Sequence, residues 1–313
     1  MPKTAILFAG QGAQSVGMGR DVAAASMAAT AVFTQASEVL GYDLEKYCFE
    51  GPLDKLEQTD IQQPAIFTAS VAIWRALDDG RALGEVPAAM AGLSLGEYTA
   101  LYAAGSMSFE DGLRLVKRRG ELMQAAAASV ASGMVTALGL ESDEVEAICR
   151  EASAAGTISP ANFNCPGQIV LSGAKAACDR AAALIERAGG RAVPLKVAGA
   201  FHSPLMGSAA DGLARMLART AFQPPEVPVM ANVNCQYYRD AGTIREWLTG
   251  QLTRPVLWQA SIERLISEGV ESFVEIGPGR VLSGLVKKIS RRTPVVNVSK
   301  ADSLARLAAS ATS

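Results

Sequence analysis

The sequence predicts an α/β protein with two domains, a larger one built on a parallel β-sheet and a smaller one inserted into it. Three observations lead to this fold class. Short apolar runs, several ending in glycine, alternate with amphipathic stretches of helical length, a pattern typical of a parallel sheet covered by helices. The segment 130–197 shows the order βαββαβ instead. The chain of 313 residues also exceeds the usual size of a single hydrophobic core.

The composition narrows the class of protein and its compartment. Hydrophobic residues make up 49% of the chain and charged residues 19%, which is typical of a globular protein with a large core. A net charge of −2 predicts no general attraction to nucleic acid or to anionic membranes. The 5 cysteines are scattered and never form C-x-x-C, which favours reduced thiols. We therefore expect a cytoplasmic protein without a signal peptide, a membrane span or a disulfide framework.

Residues 1–129 form the first part of the expected large domain. The pattern predicts a strand at 4–9, a glycine loop around Gln11, and helices at 21–40 and 64–83. The loop lacks the third glycine of a dinucleotide fingerprint and the lysine of a phosphate loop. Its glycines indicate either a structural turn or a backbone whose N–H groups approach a reacting centre.

A G-x-S-x-G turn at 92–96 and a helix that begins after Ser108 complete this part of the chain. That helix carries Arg119 among adjacent cations. Such cations usually form a solvated face, so the helix alone leaves the role of Arg119 open.

The inserted domain and the second part of the large domain, 198–313, follow. Within 130–197 we expect strands at 134–140, 157–163, 168–172 and 191–197, with helices at 142–154 and 174–188. Beyond it we expect helices at 204–217, 243–252, 261–267 and 281–289, strands at 227–233, 272–276 and 294–298, and a terminal helix. The large domain is therefore expected to be discontinuous in sequence.

Residues 91–98 contain the candidate nucleophile. Gly92 and Gly96 bracket Ser94 in a G-x-S-x-G pattern between an apolar run and a helical one, which predicts a nucleophile elbow. The N-terminus of the helix beside Ser94 would stabilise negative charge that develops there. Ser94 and Glu97 also match S-x-x-E, so a helix-capping box is the alternative.

His202 is the only histidine in the chain. An imidazole base must therefore be this residue, and a histidine-rich metal site is excluded. Gly199 before it and Pro204 after it predict a loop position. With a candidate serine elsewhere in the chain, His202 is either a general base or an incidental loop residue.

Several motifs occur together in the order and approximate spacing of one family. They are Gly10-Gln11-Gly12-Ala13-Gln14, Gly92-Leu93-Ser94-Leu95-Gly96-Glu97, Arg119-Gly120, Phe201-His202-Ser203 and Gln251, with further matches at 162–168 and 275–279. Nearly from end to end, the chain resembles malonyl-CoA:acyl carrier protein transacylases. The resemblance implies an α/β-hydrolase-like large domain and a ferredoxin-like inserted domain.

The resemblance also implies the chemistry of the site. Ser94 Oγ would attack the thioester carbonyl of malonyl-CoA while His202 takes its proton. The backbone N–H groups of Gln11 and Leu95 would bind the oxyanion. The main-chain carbonyl at Gln251 would orient the histidine. The malonyl group would then pass to the phosphopantetheine thiol of acyl carrier protein, for fatty acid synthesis.

Specificity follows from the same resemblance. Arg119 would bind the free carboxylate of the malonyl group through planar, paired donors. Phe201, Met123 and Asn162 would line the substrate pocket, with Phe201 typical of the malonyl-selecting form. Coenzyme A enters as part of a substrate, so no cofactor and no metal are expected, and we expect a monomer. The chain departs from the family at Leu93, where histidine is frequent, which leaves the polarity beside the elbow open.

Three other functions share part of this pattern. A serine thioesterase or esterase would share the elbow, but it would gain nothing from a cation at the acyl end. An acyltransferase acting in trans on a polyketide synthase would share every residue named and differ in its carrier protein. A docking module without catalysis would not need Ser94, His202 and Arg119 together.

A basic segment near the end of the chain suggests a second surface. Lys287 and Arg291, and Lys288 and Arg292, are i,i+4 pairs that predict four cations on one helical surface. This surface would either bind an acidic carrier protein or the coenzyme A phosphates, or be an ordinary solvated face.

Overall fold

A computed structural model describes residues 3–77, 83–84 and 86–311 of the chain. Within these residues the protein is a mixed α/β fold with one parallel and one antiparallel sheet, each of four strands. The strands are β1 Thr4–Phe8, β2 Ala89–Gly92, β3 Ser132–Leu138, β4 Ile158–Cys165, β5 Gln168–Ala174, β6 Arg191–Pro194, β7 Ser272–Ile276 and β8 Val295–Val298. The helices are α1 Arg20–Ala25, α2 Met27–Leu40, α3 Leu44–Glu50, α4 Leu53–Leu56, α5 Thr59–Ala76, α6 Gly96–Ala103, α7 Phe109–Ser129, α8 Ser142–Ala152, α9 Lys175–Arg187, α10 Gly207–Leu217, α11 Ala241–Gln251, α12 Trp258–Ser267, α13 Val281–Ile289 and α14 Ala301–Ala311.

The parallel sheet has the strand order β2-β1-β7-β8 and is covered on both faces. Successive side chains of a strand point to opposite faces, and β1 shows this directly. Ile6 and Phe8 join the main hydrophobic cluster with α2, α5 and α7. Ala5 and Leu7 join a second cluster with α12 and α13. Helices on both faces explain why this strand is apolar without alternation.

The antiparallel sheet has the order β4-β5-β3-β6 and contains the elements β3-α8-β4-β5-α9-β6, the order expected from the sequence. One face of the sheet, with Val135 and Leu171, packs against α8 and α9 in a cluster of its own. Met134 and Val170 on the other face belong to the main cluster. The smaller sheet is therefore packed onto the helices of the larger one.

Two sequence predictions are wrong in detail. The helix expected at 21–40 is interrupted at Ser26, whose backbone is extended and whose side chain accepts the N–H of Ala29 as the N-cap of α2. The strand expected at 227–233 is reduced to isolated bridges, Val229 with Met90 and Met230 with Tyr237. Immediately after Met230 the chain turns back on itself, as the N–H of Cys235 donates to the carbonyl of Ala231.

Other elements begin or end at different residues. The helix expected at 64–83 already begins at Thr59 and includes Pro64, and residues 78–82 of that prediction lie outside the described ranges. The helix expected at 204–217 opens with a 3-10 turn, Pro204–Met206. No helix in the described part of the chain combines the length and the apolar character needed to cross a membrane.

The prediction of four cations on one helical surface is also wrong. Helix α13 ends at Ile289 and Ser290 is extended, so Arg291 and Arg292 lie beyond the helix. Lys287, Arg291 and Arg292 instead border a shallow depression of about 510 Å³. Lys288 donates to the side chain of Gln168.

Candidate active site

Ser94 lies on the turn that joins β2 to α6. Its φ of 52° falls in the left-handed region, which is strained for a residue other than glycine. The flanking glycines make this turn possible. A Cβ on Gly92 would lie 2.0 Å from the carbonyl carbon of Gly96, and a Cβ on Gly96 would lie 2.1 Å from the carbonyl oxygen of Phe8. The turn is therefore packed directly against the end of β1.

This packing makes Gly96 a stability determinant. We expect Gly96→Ala to lower the free energy of unfolding by about 3 kcal/mol, because the new methyl group meets backbone atoms that cannot move aside. Urea unfolding measures the loss. The matched control is Gly284→Ala on α13, where a Cβ meets nothing within 4 Å. The control should be stabilised by up to about 1 kcal/mol. Equal unfolding midpoints for the two variants would contradict the observed close approach.

The side chain of Ser94 contacts a histidine and an arginine. Its Oγ lies 2.8 Å from His202 Nε2 and accepts a hydrogen bond from Arg119 Nη2 at 2.9 Å. Helix α6 has Leu95 as its N-cap and no side-chain capping bond. The capping-box alternative for Ser94 and Glu97 is therefore wrong.

His202 lies on a loop, and hydrogen bonds at both of its ring nitrogens orient the imidazole. The Nδ1 atom lies 2.7 Å from the main-chain oxygen of Gln251. Because a carbonyl can only accept, Nδ1 carries the proton, and Nε2 is free to accept the hydroxyl hydrogen of Ser94. The histidine is only 5% exposed and its φ is 58°. The serine, the imidazole and the carbonyl thus form one directed chain of hydrogen bonds.

The imidazole is held in its neutral form. Burial, and then the positive charge of Arg119, lower the pKa of His202 from 6.5 to about 4, while the bond to the Gln251 carbonyl opposes the shift. At neutral pH the ring is therefore unprotonated and can act as a base.

We expect nuclear magnetic resonance of the single histidine to show no titration between pH 8 and 5.5 in the folded protein. In urea the same signal should titrate near 6.5. The folded state disfavours the imidazolium, so the contribution of this group to stability is complete above pH 6.5 and is lost as the pH falls toward 4. Arg119→Ala should raise the pKa of His202, because the substitution removes a nearby positive charge. Folded-state titration at 6.5 or above would contradict this assignment.

Arg119 is fully buried and not part of a solvated face. Its Nη1 donates to Gln63 Oε1 at 2.8 Å, and its Nη2 donates to Ser94 Oγ and, at 2.8 Å, to Gln251 Oε1. The guanidinium also lies 5.4 Å from the ring centroid of Tyr98. These direct partners are all uncharged. Its Nε has no hydrogen-bond partner among the described residues.

Two loops meet beside the serine at the same edge of the parallel sheet. Phe8 of β1 lies opposite Gly92 of β2, so the residues that follow each strand, including Gln11 and Leu95, leave the sheet together. A Cβ on Gly10 would lie 2.3 Å from the carbonyl oxygen of Leu93, which shows that the loops touch. Within the described ranges, the backbone N–H groups of Gln11 and Leu95 have no hydrogen-bond acceptor.

An open cleft begins at the first of these loops. It has a volume of about 530 Å³ and lies between the loop after β1, the start of α5 and the segment that follows β6. Its lining includes Gln11, Gly12, Thr59, Gln62 and Lys196. The cleft therefore borders the loop that carries Gln11.

The three expected pocket residues are all buried. Phe201 and Met123 belong to the main hydrophobic cluster, and the sulfur of Met123 accepts a hydrogen bond from Gln63 Nε2 at 3.3 Å. Asn162 lies on β4 and bridges to Val256 through its backbone. Among the described residues it makes no hydrogen bond to the serine, the histidine or the arginine.

Leu93 precedes the nucleophile and is half-buried. It packs against the cluster on the α12 and α13 side of the parallel sheet. The position where the family often has histidine is therefore apolar here.

Comparison with known proteins adds to this geometry. The family model described as "Acyl transferase domain" matches residues 6–310. The chain belongs to the acyl transferase family. Its curated relatives include the malonyl CoA-acyl carrier protein transacylase of Salmonella typhimurium, 45% identical over 290 residues that span 92% of this chain and 93% of the relative. The Bacillus subtilis protein of the same name is 40% identical over 306 residues, 97% and 96% of the two chains.

A solved structure of a family member contains a carrier protein. It is the complex of PlMCAT, a malonyl-transacylase, with AntF, its holo acyl carrier protein from a type II polyketide synthase. This structure superimposes with a TM-score of 0.95 at 41% identity, over 98% of this chain and 99% of that one.

Sequence reasoning missed several buried polar groups around Ser94, His202 and Arg119. Asn232 Oδ1 accepts the backbone N–H of Ser94 at 2.7 Å, and its Nδ2 donates to the carbonyl of Gly92 at 2.9 Å. Gln63 and the side chain of Gln251 bind Arg119. The one available signal for Gln63 was the pair of glutamines at 62 and 63, near the start of the largely apolar helix α5. Within the described ranges, no cluster of three histidine, cysteine or acidic side chains could hold a metal ion.

Proposed function

We propose that this protein transfers a malonyl group from malonyl-CoA to the phosphopantetheine thiol of an acyl carrier protein through an ester on Ser94. The observation that supports this most is the chain of hydrogen bonds from the Gln251 carbonyl through His202 to Ser94, with the buried guanidinium of Arg119 on the same hydroxyl. The curated relatives at 40% and 45% identity are named for this activity.

The first half of the reaction loads the serine. His202 Nε2 takes the hydroxyl proton as Ser94 Oγ attacks the thioester carbonyl. The Gln251 carbonyl stabilises the resulting imidazolium by accepting its Nδ1–H. The backbone N–H groups of Gln11 and Leu95 stabilise the oxyanion, and each such donor lowers the barrier by about 3 kcal/mol in acyl transfers of this kind. The coenzyme A thiolate then leaves and takes the proton from the imidazolium.

The second half reverses these steps with a different thiol. The carrier thiol gives its proton to His202 and attacks the malonyl ester. Collapse of the tetrahedral intermediate returns Ser94 and its proton and leaves a malonyl thioester on the carrier. A ping-pong order follows, because the same hydroxyl serves both substrates.

Arg119 provides selectivity in this proposal. Its present partners are neutral oxygens, so a malonyl carboxylate would supply the negative charge that the buried guanidinium lacks. Acetyl-CoA would leave the cation without such a partner. We assign Phe201, Met123 and Asn162 to the pocket around the acyl group.

The protein in this proposal has two domains and is a cytoplasmic monomer. We describe 1–129 with 198–313 as an α/β-hydrolase-like domain and 130–197 as a ferredoxin-like domain. A nucleophile at the end of a parallel strand supports the first description, and the strand order of the antiparallel sheet supports the second. We further propose a cytoplasmic monomer without a cofactor. Free cysteines at all 5 positions support the cytoplasm.

Acylation with a mixture of acyl-CoAs tests the proposal. Mass spectrometry should find malonyl, not acetyl, on the peptide that contains Ser94, and none on Ser94→Ala. Addition of holo acyl carrier protein should remove the malonyl group from Ser94 and yield malonyl-acyl carrier protein. Release mainly as free malonate would favour a thioesterase.

The second candidate function is malonyl transfer to the carrier protein of a polyketide synthase, which the similarity to the PlMCAT:AntF complex favours. Single-turnover transfer from the malonyl-enzyme to a fatty acid carrier and to a type II polyketide carrier distinguishes the two. A faster rate with the polyketide carrier would assign the protein to that pathway class.

A further inference from the structure

Glu97 is a buried carboxylate next to the nucleophile, and it takes no part in the transfer described above. It is 1% exposed. Its Oε1 accepts the backbone N–H of Asn232 at 3.2 Å and the hydroxyl of Tyr238, and its Oε2 accepts the side-chain amide of Gln251. Burial raises the pKa of Glu97 to about 7, and the hydrogen bonds limit the rise. A pH of 8 lies above this pKa and favours the ionised carboxylate.

Glu97 binds Asn232 and Gln251, and these two residues in turn bind Ser94 and His202. Asn232 binds the N–H of Ser94 and the carbonyl of Gly92, on either side of the strained turn. Gln251 orients His202 through its main-chain oxygen and donates from Nε2 to the carbonyl of Ser94 at 3.0 Å.

The hydrogen bonds around Gln251 run in one direction. Arg119 can only donate, and it donates to Gln251 Oε1. An ionised Glu97 can only accept, and it accepts from Gln251 Nε2. An amide rotated by half a turn would face a donor with its NH₂ and an acceptor with its oxygen. The carboxylate, together with Arg119 and the carbonyl of Ser94, therefore fixes which way the amide of Gln251 points.

We propose that Glu97 is a positioning residue that holds Gln251 and Asn232, and through them His202 and Ser94, in the geometry required for acyl transfer. The proposal rests on the roles of Ser94, His202 and Arg119 given above. Glutamine at this position has the same shape but brings an NH₂ group, which would meet either the amide of Gln251 or the N–H of Asn232.

The test is Glu97→Gln at pH 8, with two readouts. Rapid-quench mass spectrometry should show that the maximal rate of malonyl-Ser94 formation falls about 10- to 100-fold, the effect of a small misplacement of reacting groups. The KM for malonyl-CoA should rise, because Arg119 loses a fixed partner. The ¹⁵N spectrum of the single histidine should lose the pure Nδ1–H pattern, which a merely structural role would leave intact. In the matched control Glu186→Gln, the same chemical change at an exposed glutamate on α9, rate and spectrum should stay close to wild type.

A swap keeps the proposal testable if Glu97→Gln does not fold. Gln251→Glu preserves the main-chain carbonyl but sets two carboxylates against each other. In the double variant Glu97→Gln/Gln251→Glu, donor and acceptor are exchanged. The double variant should acylate faster than Gln251→Glu alone and regain the Nδ1–H signal. A double variant no faster than Gln251→Glu would overturn the proposal.

The outcomes separate this inference from the proposed function. Wild-type protein that takes no malonyl group on Ser94 overturns both. Wild-type labelling together with a Glu97→Gln rate within twofold of wild type, and an unchanged histidine spectrum, overturns only the role of Glu97.

Discussion

His202→Ala is expected to slow the formation of malonyl-Ser94 by about 10³- to 10⁴-fold. The structure gives the physical reason, since His202 Nε2 is the one proton acceptor placed 2.8 Å from Ser94 Oγ and the chain contains no second histidine. Rapid-quench mass spectrometry at saturating malonyl-CoA measures the rate. Arg119 remains in the variant, so the dissociation constant for malonyl-CoA should change little.

The control for this loss is a substitution at an exposed side chain. Met27 is 91% exposed on α2, and Met27→Ala should acylate at the wild-type rate. A His202→Ala enzyme that retains more than a tenth of the wild-type rate would show that another group removes the proton. The hydrogen-bond chain described here would then not be the catalytic one.

Arg119→Ala is expected to lower malonyl transfer by about 100-fold and to reduce the preference for malonyl over acetyl by a similar factor. Loss of one partner of a buried charge pair costs about 2–5 kcal/mol, and 2.7 kcal/mol corresponds to about 100-fold. Competition between malonyl-CoA and acetyl-CoA, followed by mass analysis of the Ser94 peptide, measures the preference. An unchanged preference would contradict carboxylate recognition by this residue.

Arg119→Lys serves as the matched variant for charge. A lysine keeps the positive charge but lacks the planar fork that reaches Gln63, Ser94 and Gln251 together. We expect it to remain impaired by about tenfold, because charge without the paired geometry recovers only part of the contact. Recovery of full activity would indicate that charge alone selects the substrate. Urea unfolding of both variants checks that the buried site has not collapsed.

The arrangement differs from a hydrolase triad in a way that bears on the alternatives. The Nδ1 atom of His202 faces a main-chain carbonyl, while the buried carboxylate of Glu97 accepts hydrogen bonds from Gln251, Asn232 and Tyr238 instead. A neutral acceptor stabilises the imidazolium less than a carboxylate would. In our proposal the negative charge in this site comes from the malonyl carboxylate of the substrate, which binds Arg119.

Much of this molecule follows from the sequence alone. Alternating apolar strands and amphipathic helices predicted a parallel sheet covered on both faces, and the order βαββαβ was correct for the segment 130–197. The glycines around Ser94 and the single histidine pointed to a nucleophile and a base. These signals are local because sterics at a tight turn and the periodicity of side chains act over a few residues.

Tertiary structure decided the rest. The break at Ser26 and the turn after Met230 depend on local capping and on packing against β2, which apolar periodicity does not show. The reactive groups have hydrogen-bond partners that lie far away in the sequence. The hydrogen bond from Gln251 to the carbonyl of Ser94, for example, joins residues separated by 157 positions. Buried polar groups must find donors or acceptors wherever the fold brings them. The sequence determined which chemical groups are present, and only the folded chain could determine that Glu97 accepts from Gln251 and that Asn232 holds the serine turn.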